Sequence, residues 1–251
     1  MVYKRQSRRQ DTREKSLSEK EKALHRASLI FEQKVIPHFN NLGEILDIGT
    51  GSGYTAFTLA KHFKKVVSID SDPECLKTAE SKVAEQNIEN IHFLQMDAHN
   101  LKFLDESFDA VTCRAAIHHF DDAAKVLAEV YRVLKKEGFF VLMDFCFSEM
   151  TKKLLAPLSW IREDDFRRYY TFHEYCNLLE NNGFVIDTMY TYTLPRVIQE
   201  WVAVAPPGIQ ERLISAFLHL ADPVHAELRL HQQQGQYIMT YRILEVISQK
   251  S

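Results

Sequence analysis

At 251 residues, 45% hydrophobic and 26% charged, the chain has room for one α/β-sized domain or two small ones, and its composition excludes a fibrous or wholly disordered protein. A formal net charge of −3 and a pI near 6.4 leave no global basic field to attract a polyphosphate backbone, which argues against a nucleic-acid partner. Four single cysteines (Cys75, Cys113, Cys146, Cys176), with no CxxC pair and no secretory leader, predict reduced thiols and a cytoplasmic protein. The longest apolar run, Phe139–Phe147, contains Asp144 and is far shorter than the ~18 residues of a membrane span.

The first ten residues carry Lys4, Arg5, Arg8 and Arg9 with no acid, and residues 1–17 read as a solvated, disordered arm. Residues 18–251 read as one domain. Ser18-Glu19-Lys20-Glu21 is a capping box, predicting a helix from about Glu19 to Ile36, just before Pro37. From Glu44 to Cys146 short apolar runs alternate with amphipathic stretches. The runs are Glu44–Ile48, Val66–Asp70, Ile91–Met96, Phe108–Arg114 and Gly138–Cys146. Asp122–Lys136 is the clearest helix between them, with Val126, Leu127, Val130, Val133 and Leu134 at helical spacing. Such alternation builds a parallel sheet through right-handed crossovers. A second box, Thr171 to Glu174, opens a helix that ends at Asn181-Asn182-Gly183, before a strand over Phe184–Thr193. The apolar and aromatic segments at about 148–170 and 196–240 suggest a small helical cap. A last strand is expected over Tyr241–Ile247.

The chemistry concentrates where strands end. Ile45-Leu46-Asp47-Ile48-Gly49-Thr50-Gly51-Ser52-Gly53 runs an apolar strand into a glycine-rich turn that a ligand can approach without meeting a Cβ. A dinucleotide fingerprint needs glycine at the sixth position of this motif; Tyr54 stands there, so pyrophosphate is not the expected guest. Asp70 follows Gly49 by 21 residues, at the end of the next strand, where a carboxylate can accept hydrogen bonds from both ribose hydroxyls. Asp97-Ala98 ends the third strand with an acceptor suited to an exocyclic amine and a small residue leaving space for a ring.

These elements resemble class I methyltransferases, and within them the ubiquinone and menaquinone C-methyltransferase (methyltransferase type 11) group. The resemblance continues through Asp105–Arg114, Ala115–Phe120 and Tyr131–Lys135. It implies a Rossmann-like seven-stranded α/β sheet in the order 3-2-1-4-5-7-6, strand 7 antiparallel, with helices on both faces. It also implies S-adenosylmethionine as co-substrate. Gly49, Thr50, Gly51 and Gly53 would lie beside its methionine part, Asp47 would brace the loop, and Asp70 with Ser71 would hold the ribose. Asp97 and Ala98 would hold adenine, and Arg114 matches a position close to the cofactor, where a structural ion pair is the equal alternative.

Methyl transfer to a small molecule is an in-line displacement in which alignment and desolvation can supply most of the catalysis. Where the nucleophile carries a proton, His118 or His119 is the candidate base; the alternative is packing for one and helix capping for the other. A metal is not expected: His118, His119, Asp121 and Asp122 crowd one turn, and no second cluster at ligand spacing supports them. Arg162–Tyr170 reads either as a surface for an acidic or aromatic substrate or as a solvated helix face. Two other functions stay open. One is a tRNA or rRNA methyltransferase using the basic arm, although Arg114-Ala115-Ala116-Ile117 stands where an (Asn/Asp)-Pro-Pro-(Tyr/Phe) motif would be expected. The other is a non-catalytic S-adenosylmethionine-binding module.

Overall fold

The computed structural model describes residues 32–39 and 43–251. The basic arm, the Ser18 capping box and most of the first predicted helix lie outside the described residues; within them, 32–34 are helical and a 3-10 turn, Ile36–His38, follows.

Five parallel strands carry the frame: β1 (Glu44–Ile48), β2 (Lys65–Asp70), β3 (Ile91–Gln95), β4 (Phe108–Arg114) and β5 (Leu134–Phe145). The helices between them are α1 (Tyr54–Leu59), α2 (Pro73–Gln86) and α3 (Ala123–Val133). Asp72 caps α2 by accepting from the Glu74 amide, and Asp122 caps α3 by accepting from the Lys125 amide. Helix α3 ends three residues earlier than its periodicity predicts. Leu134 pairs with Phe108 instead of extending the helix, and β5 therefore starts four residues before the expected Gly138.

The remaining elements are α4 (Glu149–Arg162), α5 (Phe172–Glu180), β6 (Phe184–Val197), α6 (Ile198–Val202), α7 (Pro207–Leu218), α8 (Asp222–Glu227), β7 (His231–Gln233) and β8 (Gln236–Lys250). Both hydrogen bonds of the Thr171–Glu174 capping box form at the start of α5. The sheet order is β3-β2-β1-β4-β5-β8-β6, with β8 antiparallel to both β5 and β6. This is the expected Rossmann-like order, β8 taking the place of the seventh strand. Among the described residues the strand count is eight because β7 adds a short hairpin to the start of β8, through Gln234 and Gly235, both left-handed at φ 50° and 79°. The 196–240 segment is therefore not helical throughout: its first two residues belong to β6, and its last part is this hairpin. Strand β6 continues four residues past the expected Thr193 and through Pro195, which an edge strand tolerates because no ladder bond is lost on its open side.

The sheet is buried on both faces. Ile45, Val66, Ala110, Val141 and Ile243 meet α1, α4 and α6–α8 through Leu59, Leu155, Trp201, Phe217 and Val224. Leu46, Val67, Val111, Leu142 and Val246 meet α3 and α5 through Leu127, Val130, Tyr175 and Leu179. Helix α4 in turn contacts α7 and α8, so the later helices form a single layer beside the first face. Among the described residues, no helix is long and apolar enough to cross a membrane.

Candidate active site

A cavity of about 520 Å³ opens at the carboxyl ends of β1, β2 and β4, where the order of a parallel sheet reverses and ligands bind. Of the residues singled out from sequence, Gly49, Gly51, Asp70, Ser71, Asp97, Ala98 and His119 line it. Asp47, Thr50, Gly53, Arg114 and His118 do not.

The glycine loop is held from below. The amides of Gly49 and Thr50 both donate to the Ile69 carbonyl, at 2.9 and 3.0 Å. Thr50 turns its side chain inward, its hydroxyl 2.6 Å from Ser68 Oγ and donating to the Ile69 carbonyl at 3.0 Å. Ser68 Oγ lies 2.8 Å from Asp47 Oδ2, and Thr112 donates to Asp47 Oδ1 at 3.1 Å. Asp47 thus ties β1, β2 and β4 together beneath the loop. Burial pushes its carboxyl up to about 6 against these bonds and the nearby Arg114 charge. Gly53 is the N-cap of α1.

Gly49 has φ +74°, and a Cβ there would lie 2.4 Å from the Ala116 Cβ; the loop therefore packs directly on the turn after β4. Gly51, at φ +52°, has open space where a Cβ would be. Gly51→Ala is accordingly expected to fold, losing about 1 kcal/mol in urea denaturation from the left-handed backbone alone.

Asp70 braces the loop from the side: Oδ2 accepts from the Gly51 amide at 2.8 Å and Oδ1 from the Asp72 amide at 3.0 Å. Each oxygen keeps a lone pair for a ligand. Asp97 accepts from the His99 amide at 2.9 Å and lies 2.7 Å from His99 Nδ1, and these contacts hold its carboxyl below the usual range. His99, unmarked by any sequence motif, is itself a lining residue.

The two adjacent histidines diverge. His119 lines the cavity, its Nδ1 3.2 Å from the Asp165 carbonyl; burial, then the neighbouring His118, lower its pKa. His118 is buried, with Nδ1 2.8 and 2.9 Å from the two oxygens of Asp144, itself without exposed surface. The rings lie 4.1 Å apart. Neither histidine caps α3, since Asp122 does. Asp144 was missed as a site residue, though an acid inside the apolar run Phe139–Phe147 is the kind of break that marks a buried pair. Arg167 and Asp165, from the segment after α4, close one side of the cavity, with Arg167 paired to Asp121.

The cavity lining carries five aspartates (Asp70, Asp72, Asp97, Asp121, Asp165) and, among lysines and arginines, Arg167 alone. Such a site repels a pyrophosphate and suits a cationic nucleoside.

Comparison with known proteins agrees. The family model described as a methyltransferase domain matches residues 46–142. The chain is 31% identical over 182 residues to the uncharacterized methyltransferase YcgJ of Bacillus subtilis, covering 71% of this chain and 72% of that protein. The chain belongs to the class I S-adenosylmethionine-dependent methyltransferases. The crystal structure of YcgJ superposes with a TM-score of 0.81 at 26% identity, over 90% of this chain and 99% of that one. The ubiquinone/menaquinone biosynthesis C-methyltransferase UbiE of Rickettsia typhi is 35% identical over 144 residues, 55% of this chain and 53% of that enzyme. This methyltransferase therefore falls in the UbiE-like group while spanning about half the length of that relative. S-adenosylmethionine is its methyl donor, and the acidic, phosphate-averse cavity fits that cofactor.

Proposed function

We propose that the methyltransferase transfers a methyl group from S-adenosylmethionine to a small-molecule acceptor, with the 520 Å³ cavity as the cofactor site. The observation that carries this reading is the charge of the lining: acids at the ends of adjacent strands, with Arg167 the one lysine or arginine among the described lining residues. When bound, the cofactor supplies an electrophilic methyl carbon on a sulfonium. Asp70, with Ser71 beside it, offers acceptors to the ribose hydroxyls, and Asp97 with Ala98 receives the adenine. Gly49 and Gly51 let the methionine part lie against backbone. Asp47, Thr50 and Gly53 act at one remove, by fixing the loop. Arg114 stands beside the cavity rather than in it.

His119, which lines the cavity, is the first candidate base for an acceptor that carries a proton, and His118, oriented by Asp144, is the second. The layer of α4 and α6–α8 serves as a cover that keeps water from the transfer, within one catalytic domain running from residue 18 to residue 251. The UbiE relatives, named for quinone biosynthesis, and the net negative charge both favour a small acceptor over RNA, in a protein of the cytoplasm.

The test is calorimetric titration of the purified chain with S-adenosylmethionine and S-adenosylhomocysteine. Binding of both at about micromolar Kd is expected; binding of neither overturns the reading.

A further inference from the structure

His99 lines the cavity and touches three groups around it. Its Nδ1 lies 2.7 Å from Asp97 Oδ1, and its backbone amide donates to the same oxygen at 2.9 Å. Its Nε2 lies 3.4 Å from the amide of Asp122, the N-cap of α3. Its ring meets that of Phe120 edge-on, with 5.6 Å between centroids and 77° between planes, and Phe120 lines the cavity as well. A carboxylate only accepts and an amide N–H only donates, so the network assigns the tautomer: Nδ1 carries the proton and donates to Asp97, while Nε2 accepts from Asp122.

Both bonds to Asp97 end on one oxygen. The Asp97 side chain is 66% exposed beyond the end of β3, and among the described residues its Oδ2 accepts no hydrogen bond. An exposed acid held by a single amide can pivot about that bond. The second bond comes from a ring that is itself set against Phe120 and tied to the start of α3, and it fixes the plane of the carboxylate. Oδ2 is thus a charged acceptor left open on a lining residue, and only a donor can pair with it.

We propose that His99 is a positioning residue: by locking Asp97 with Oδ2 free, it makes the cavity select a purine carrying an exocyclic amine over one carrying an oxo group at the same place. The inference rests on the cofactor site proposed above, in which Asp97 receives the adenine. An amine donates to Oδ2, whereas an oxo oxygen sets two acceptors face to face. The cost of that mismatch depends on how firmly the carboxylate is held, because a free one turns away and a locked one cannot. The effect of His99 on the choice of base therefore passes through Asp97.

The test is calorimetric titration of the full chain with S-adenosylhomocysteine and with S-inosylhomocysteine, which carries the oxo group. His99→Leu keeps apolar bulk against Phe120 but has no donor; His99→Asn loses the ring but places an amide nitrogen where Nδ1 stands. His99→Leu is expected to weaken S-adenosylhomocysteine about tenfold and to leave S-inosylhomocysteine within about twofold, while His99→Asn keeps the natural preference to within about threefold. In an Asp97→Ala background, His99→Leu should change neither affinity. Equal weakening of both ligands by His99→Leu, the mark of a residue that merely supports the fold, overturns the proposal. So does unchanged binding of both, a loss of preference in His99→Asn as large as in His99→Leu, or an undiminished effect of His99→Leu once Asp97 is alanine. If His99→Leu does not fold, His99→Ala, which also lacks the donor, takes its place. Failure of S-adenosylhomocysteine to bind the natural chain is a different result, which removes the cofactor reading and this inference with it.

Discussion

Asp70→Ala weakens S-adenosylhomocysteine binding by about a hundredfold in calorimetric titration, with little loss of stability. Two effects combine. On the cofactor site proposed above, the carboxylate would offer charged acceptors to the ligand, each such bond being worth about 1.5–3 kcal/mol. It also holds the Gly51 amide at 2.8 Å and the Asp72 amide at 3.0 Å, fixing the loop against which the ligand lies. Asp70→Asn separates the two. It keeps one acceptor oxygen for the loop but loses the charge, so an intermediate loss of about tenfold is expected. An Asp70→Ala protein that binds as tightly as the natural one removes Asp70 from the cofactor site.

Asp144→Ala is expected to cost about 3 kcal/mol or more in urea denaturation and to lower Tm by roughly 6–12 °C. Asp144 is fully buried and holds His118 Nδ1 with both oxygens, while also accepting from the Phe145 amide at 2.7 Å. Removing the carboxylate leaves a buried imidazole without its partner, whereas His118→Ala leaves a buried acid without its own. Removing both leaves neither orphan, so the double variant should be clearly less destabilised than the sum of the single ones. Strict additivity would show that the pair does not act as a unit.

The strand-end wall of the cavity was legible because it sits in short contiguous stretches: Gly49 to Gly51, Asp70-Ser71 and Asp97-Ala98. Periodicity locates the strand, and the residues that follow it line the cavity. The His118–Asp144 pair spans 26 residues and two elements, and only the β4–β5 register brings it together. The helix end at Val133 was misplaced because Leu134 continues the helical pattern yet gains more by pairing with Phe108. The hairpin before β8 was hidden in a glutamine-rich stretch, 231–236, in which period-2 alternation leaves no hydrophobic trace.

The placement of β8 between β5 and β6 also bears on how the chain acquires its shape during synthesis. Among the described residues β6 pairs only with β8, which is made some 40 residues later. Until those residues leave the ribosome, Phe184–Val197 has no ladder to join, and β5 presents an open edge rich in Phe140, Val141 and Leu142. The five parallel strands can assemble as they emerge, but closing the sheet waits for contacts distant in sequence, which makes it the slow, aggregation-exposed step. A nascent chain paused between β6 and β8 is thus the form most in need of a chaperone.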